Sequence, residues 1–143
     1  MYSKSIEDYL EAIHNIISKK GYVRTKNIAE ELNVTPPSVS AMLKKLNAEE
    51  LILYEKYGGI TLTDKGQKIA KAVRHRHTIL KKFLKIIMVS SGNAENDACK
   101  LEHNLSPESI NQLTNFVEFI ETKPICKELL DDFKRFDVIS CQE

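Results

Sequence analysis

Thr25-Lys-Asn-Ile-Ala-Glu-Glu-Leu32-Asn-Val-Thr35-Pro-Pro-Ser-Val-Ser40-Ala-Met-Leu-Lys44-Lys45-Leu46 is the run that decides the fold. It holds two helical patterns back to back. Thr25 is placed to cap a short helix over 26–32, with Ile28, Ala29 and Leu32 apolar on one side. Asn33-Val34 leaves room only for a tight turn. Thr35 is the next N-cap, and Pro36 and Pro37 follow in the first turn. Proline is tolerated there because first-turn amides have no partner within the helix. The helix so opened, 36–49, buries Val39, Leu43 and Leu46. A small residue (Ala29) in the first helix, a tight turn and a polar start to the second make a helix-turn-helix.

The next residues extend this motif. Leu51-Ile-Leu-Tyr-Glu-Lys56 and Ile60-Thr-Leu62 are β-prone runs on either side of Tyr57-Gly-Gly59, which predicts a hairpin with glycines at its turn. A helix-turn-helix followed directly by a hairpin is a winged helix. The exposed start of its second helix offers Thr35, Pro37, Ser38, Ser40 and Ala41, whose hydroxyls and methyl groups suit base edges. Lys44 and Lys45 further along suit phosphates, and Arg24 is counted with them as a candidate DNA contact. Lys56 and Tyr57 at the wing tip are candidates for the backbone or minor groove. No Arg, Asn or Gln stands at the exposed start of the second helix, so bidentate base readout is weak. Sequence preference then rests on methyl contacts and DNA shape.

Working outward, residues 4–19 form an amphipathic helix, with Ile6, Leu10, Ile13 and Ile17 on one stripe. Asp8 and Glu11 share a face beside it. Near a helix N-terminus this pair is equally an ordinary solvated acidic face, which the helix dipole favours. Lys19-Lys20-Gly21 closes the helix. On the other side of the wing, Thr63 caps a long helix over 64–88. Its first half is basic (Lys65, Lys68, Lys71, Arg74, Arg76) and its second half apolar (Ile79, Leu80, Phe83, Leu84, Ile86, Ile87). That change divides the chain into 1–75, a winged helix-turn-helix domain, and 76–143, an all-α domain. The expected fold class is therefore mostly α. Residues 90–93 are expected as a loop, followed by helices over 94–104, from Ser106-Pro107-Glu108 to about 122, and over 125–136, with 137–143 loose. The stripe Ile110, Leu113, Val117 and Ile120, with Phe116 and Phe119 beside it, is wide for so small a domain and suits a homodimer interface as well as a core.

Charge separates the same halves. Residues 1–77 carry 13 Lys+Arg against 9 Asp+Glu, and residues 78–143 carry 8 against 11, within a net +1. A polyanion would therefore bind the first half. No apolar run approaches the roughly 20 residues that span a bilayer. The start, Met1-Tyr-Ser-Lys, is no signal peptide, so a cytoplasmic protein without a membrane partner is expected. Three widely spaced cysteines are not a disulfide framework, and Cys126 and Cys141 read as free thiols.

Within Glu95-Asn-Asp-Ala-Cys99-Lys-Leu-Glu102-His103, a thiol, a carboxylate and an imidazole fall at i, i+3 and i+4. On one helix they would converge. Taken alone, the triplet fits a metal site and an ordinary half-buried helix equally well. His14 reads as structural, His77 on its own as structural or solvated, and His75 has no assigned role.

With these pieces assembled, the chain resembles, over essentially its whole length, the metal-dependent repressors of the diphtheria-toxin-repressor and manganese-transport-regulator type. The motifs are Ile6-Glu-Asp8-Tyr-Leu-Glu11, Val34-Thr-Pro-Pro-Ser-Val-Ser40, Arg76-His77 and Ala98-Cys99-Lys-Leu-Glu102-His103. Its length is similar to the short two-domain branch without an SH3-like domain. The resemblance implies metal ligands at Asp8, Glu11, His77, Cys99, Glu102 and His103, with Glu95 as a possible extra one. Asp8 and Glu11 are similar to the manganese branch. Cys99 is similar to the iron branch, since the manganese branch usually carries Glu there. Lys81 stands where the iron branch has an ancillary carboxylate, and its ammonium is a candidate substitute for an ancillary cation. A thiolate favours softer ions than Mn²⁺. Fe²⁺ is therefore the first expected cofactor and Mn²⁺ the second, with other divalent transition metals binding in vitro.

The implied function is a homodimeric, metal-dependent transcriptional regulator, a repressor of metal-uptake genes, that binds a palindromic operator in double-stranded DNA when loaded with Fe(II) or Mn(II). The alternative is a winged-helix regulator responding to thiol oxidation at Cys99 or to a small molecule. An enzyme is not expected, because the chain has no nucleophile elbow, phosphate loop or HExxH.

Overall fold

The computed structural model describes residues 2–55 and 59–136. Lys56 and Tyr57 of the wing tip, Cys141 and the tail 137–143 lie outside the described residues. The element order is α1 (Lys4–Lys20), α2 (Thr25–Leu32), α3 (Pro36–Ala48), β1 (Ile52–Glu55), β2 (Gly59–Leu62), α4 (Asp64–Ile86), α5 (Ser91–Leu101), α6 (Pro107–Thr122) and α7 (Pro124–Arg135). The chain forms two compact units, Met1–His75 and Arg76–Glu143, and the division falls inside α4.

The first unit is a winged helix-turn-helix. α1 ends at Gly21, which takes the left-handed conformation (φ 78°) and donates its N–H to the Ile17 carbonyl. α2 begins one residue before expectation. Arg24, rather than Thr25, is the N-cap, and the Asn27 side chain accepts the Arg24 amide at 3.2 Å. The acceptor thus comes from inside the helix, which releases Thr25 to join the first turn. Asn33 turns the chain in the left-handed region (φ 52°). Thr35 caps α3 by accepting the Ser38 amide at 3.4 Å, and both prolines sit in the first turn as expected. β1 and β2 pair antiparallel, Ile52 opposite Leu62 and Glu55 opposite Gly59. Ile6, Leu10, Ile13, Val23, Ile28, Val39, Leu43, Leu46, Leu51 and Ile52 form one buried core joining α1, α2, α3 and the hairpin.

The second unit is all helix. Leu80, Ala98 and Ile110 make its centre, with Leu84, Leu105 and Leu113 against them. α6 is capped by Ser106, whose hydroxyl accepts the Ser109 amide at 3.2 Å. α5 departs from expectation at both ends. It starts at Ser91, because Ser90 supplies the extended N-cap and its carbonyl accepts the Ala94 amide at 2.8 Å. It ends at Leu101, so Glu102 is its C-cap and His103 lies in the following turn. The expected loop at 90–93 is thus mostly helix.

Candidate metal centre

The site in the second unit is built by two short stretches. On α4, His77 and Lys81 are one turn apart. On α5, Glu95 and Cys99 are one turn apart, and Glu102 and His103 follow where the helix stops. The buried Glu102 carboxylate is the hub. Its Oε2 lies 2.8 Å from His77 Nδ1, and its Oε1 lies 3.2 Å from His103 Nε2. The Glu102 and His103 side chains are each only 3% exposed. Cys99 Sγ stands 3.7 Å from the same His77 Nδ1 and is exposed. One carboxylate therefore joins two imidazoles, and a thiol stands beside one of them. Helical spacing put Cys99, Glu102 and His103 on one helix face; in the structure Cys99 lies on α5, and Glu102 and His103 follow in the turn after Leu101.

The other nitrogen of His77 is also engaged. Nε2 lies 2.9 Å from Glu95 Oε1, and Glu95 Oε2 takes the Lys81 ammonium at 2.5 Å. Lys81, first, and then His77 hold the Glu95 carboxyl below the usual carboxylate range, against the opposing effect of desolvation. This double engagement of His77 went unread in the sequence. The signal for it was two i, i+4 pairs, His77 with Lys81 and Glu95 with Cys99, but nothing in a linear pattern says that two helices face each other.

The donor set fits a divalent transition metal. If the His77 ring is neutral and donates from Nε2 to Glu95, its Nδ1 lone pair faces the Glu102 carboxylate. Two acceptors 2.8 Å apart need a proton or a cation between them. Imidazole, thiolate and carboxylate together suit Mn²⁺ poorly at the sulfur and Fe²⁺, Co²⁺ or Zn²⁺ well. His77, Glu95 and Cys99 each bring a ligand atom within 4.8 Å of the others. Asp8 and Glu11 belong to the first unit, three residues apart on α1 and both half-buried.

Of the candidate DNA contacts, Arg24, Thr35, Pro37, Ser38, Ala41, Lys44 and Lys45 are exposed, and Ser40 is half-buried. Thr35 Oγ1 is 2.9 Å from Ser38 Oγ, so the cap and the first turn share their hydroxyls. Arg24 lies over the Tyr22 ring at 5.4 Å. In the second unit, Phe119, Ile125, Leu129 and Phe136 of α6, α7 and the residue beyond are all more than half exposed. No helix among the described residues is long and apolar enough to cross a membrane.

Comparison with known proteins places this architecture. Residues 1–60 match the model described as iron dependent repressor, N-terminal DNA binding domain. Residues 63–130 match iron dependent repressor, metal binding and dimerisation domain. The chain is 44% identical over 130 residues to the HTH-type transcriptional regulator MntR of Listeria welshimeri, covering 91% of this chain and 92% of the relative. It is 41% identical over 143 residues to MntR of Bacillus subtilis, covering 100% and 95%. Among solved structures it is similar to the manganese regulator SloR, with TM-score 0.70 and 33% identity over 80% of this chain. It spans 54% of SloR's length.

Proposed function

The chain belongs to the iron-dependent repressor family, and from that premise we propose a dimeric, metal-activated transcriptional repressor that binds a palindromic operator upstream of metal-uptake genes. The observation that carries the reading is the meeting of His77 and His103 on the buried Glu102 carboxylate, with the Cys99 sulfur beside His77. Those four residues would hold the ion from the second unit. Asp8 and Glu11 of α1 are the remaining proposed ligands, supported by the sequence resemblance. Residues 1–75 are the proposed DNA-reading domain and 76–143 the dimerisation and metal-binding domain. α3 enters the major groove, with Ser38, Ser40 and Ala41 at base edges and Lys44 and Lys45 at phosphates. Thr35, Pro37 and Arg24 flank that surface, with Lys56 and Tyr57 of the wing proposed beside them. The exposed apolar face of α6 and α7 is the dimer interface.

A bound divalent cation supplies the positive charge that lets carboxylates and a thiolate share one small volume. Without it, Asp8, Glu11, Glu102 and an ionised Cys99 disfavour one another's company. Two of the six ligands are on the DNA-reading unit and four on the other. Metal affinity and operator affinity are therefore linked, by about 1–3 kcal/mol in a typical allosteric protein. Manganese takes precedence over the iron expected from Cys99. The relatives at 41–44% identity are MntR regulators, and SloR is named a manganese regulator. A cytoplasmic location accords with an operator-binding role.

An anaerobic titration of a palindromic promoter fragment tests this, run with chelator, with Mn²⁺ and with Fe²⁺. Tight binding with Mn²⁺ and weak binding with chelator is the expected result. Equal affinity under all three conditions would remove the metal switch.

A further inference from the structure

His77 is gripped from both sides, and the two sides differ in kind. At Nδ1 stand Glu102 at 2.8 Å and the Cys99 sulfur at 3.7 Å. At Nε2 stands Glu95, at 2.9 Å. Glu95 and Cys99 share a face of α5 and their ligand atoms lie within 4.8 Å of one another, so what separates their roles is the nitrogen of His77 that each one meets. The second oxygen of Glu95 is not open to a cation, since it carries the Lys81 ammonium at 2.5 Å. A divalent ion at that oxygen would meet a like charge. An outer carboxylate that accepts a ligating histidine's remaining N–H fixes the tautomer and ring angle and makes the metal-facing nitrogen more basic.

We propose that Glu95 and Lys81 are positioning residues for the metal centre: Glu95 accepts the Nε2–H of His77 and leaves Nδ1 to the ion, and Lys81 keeps Glu95 out of the coordination shell. This gives Glu95 a role opposite to that of an extra ligand. It rests on the metal-centre reading, which the test separates from it. The arrangement is compact, because one residue on each helix is the partner and its neighbour one turn away is the ligand or the counter-charge.

Co²⁺ is the probe, added anaerobically to the full chain. Its thiolate charge-transfer band reports Cys99, its d–d bands report the ligand number, and competition with a chelator reports affinity. Glu95→Ala is expected to weaken Co²⁺ binding by about 10–100-fold while the d–d and charge-transfer bands at saturation stay as in the unaltered chain. Glu95→Gln recovers part of the affinity, because the amide oxygen still accepts the Nε2–H. Lys81→Gln releases Glu95 and changes the d–d envelope, whereas Lys81→Arg leaves it unchanged. A d–d envelope altered by Glu95→Ala at saturation would make Glu95 a ligand and overturn the proposal. So would unchanged affinity in Glu95→Ala, or a Lys81→Gln spectrum identical to that of the unaltered chain. A charge-transfer band that survives Cys99→Ala would overturn the metal-centre reading itself, whatever the Glu95 variants show.

Discussion

Gly66 shows how much one residue decides in this chain. A β-carbon there would overlap the Leu51 carbonyl oxygen. That oxygen is the meeting point of the α3–β1 connection and the start of α4: it accepts the Thr63 amide at 3.1 Å and the Thr63 hydroxyl at 3.0 Å. The Gly66 amide in turn donates to the Thr63 hydroxyl at 3.1 Å. Gly66→Ala is expected to lower stability by about 1–3 kcal/mol through overpacking, read as a lower Tm by calorimetry, with Co²⁺ stoichiometry unchanged. Cys99 decides differently. Its backbone is ordinary helix, so its importance is chemical: it is the proposed sulfur donor beside His77 and the reason iron and manganese compete as readings of the site.

At the scale of the element, α3 separates packing from recognition by simple periodicity. Val39, Leu43 and Leu46 are fully buried, while Ser38, Ala41, Lys44 and Lys45 are exposed on the other side. Charge removal on that outer side can therefore be tested without disturbing the core. Lys44→Ala and Lys45→Ala are each expected to weaken metal-loaded binding about equally for operator and unrelated DNA. Each is also expected to reduce the slope of log affinity against log salt by about one. A loss confined to the operator would mean that the lysine reads bases instead of phosphates. α5 is the contrasting element. Its sequence pattern put Cys99, Glu102 and His103 on one continuous helix, yet the helix stops at Leu101. The two oxygens of Glu102, the C-cap, go to His77 on one side and to His103 on the other.

For the whole molecule, the exposed apolar residues of the second unit matter most. Leu129 is 63% exposed and Phe119 52%, side chains that water alone does not favour. A dimer would bury them, and paired recognition helices are what a palindrome requires. Leu129→Glu together with Phe119→Glu is expected to shift the protein to monomer at micromolar concentration, read by sedimentation equilibrium. Operator affinity should fall by at least tenfold while each chain still binds Co²⁺ with the thiolate band intact. An unchanged dimer would place the interface elsewhere.

The sequence by itself determined the winged helix, the order of the elements and the apolar stripes of α1, α3 and α6. These are short-range facts: caps, prolines, glycine turns and periodicity act within a few residues and leave their signature in the linear order. The Arg24 cap of α2 and the stop of α5 are local as well, made by hydrogen bonds within four residues, but why position 66 tolerates only glycine was decided by the tertiary structure. So was the grip on His77, with Glu102 at one nitrogen and Glu95, held by Lys81, at the other. Each of these depends on atoms that only packing brings together, α4 facing α5 or a carbonyl meeting a helix start. Their energies come from distances of about 3 Å that a linear pattern does not encode.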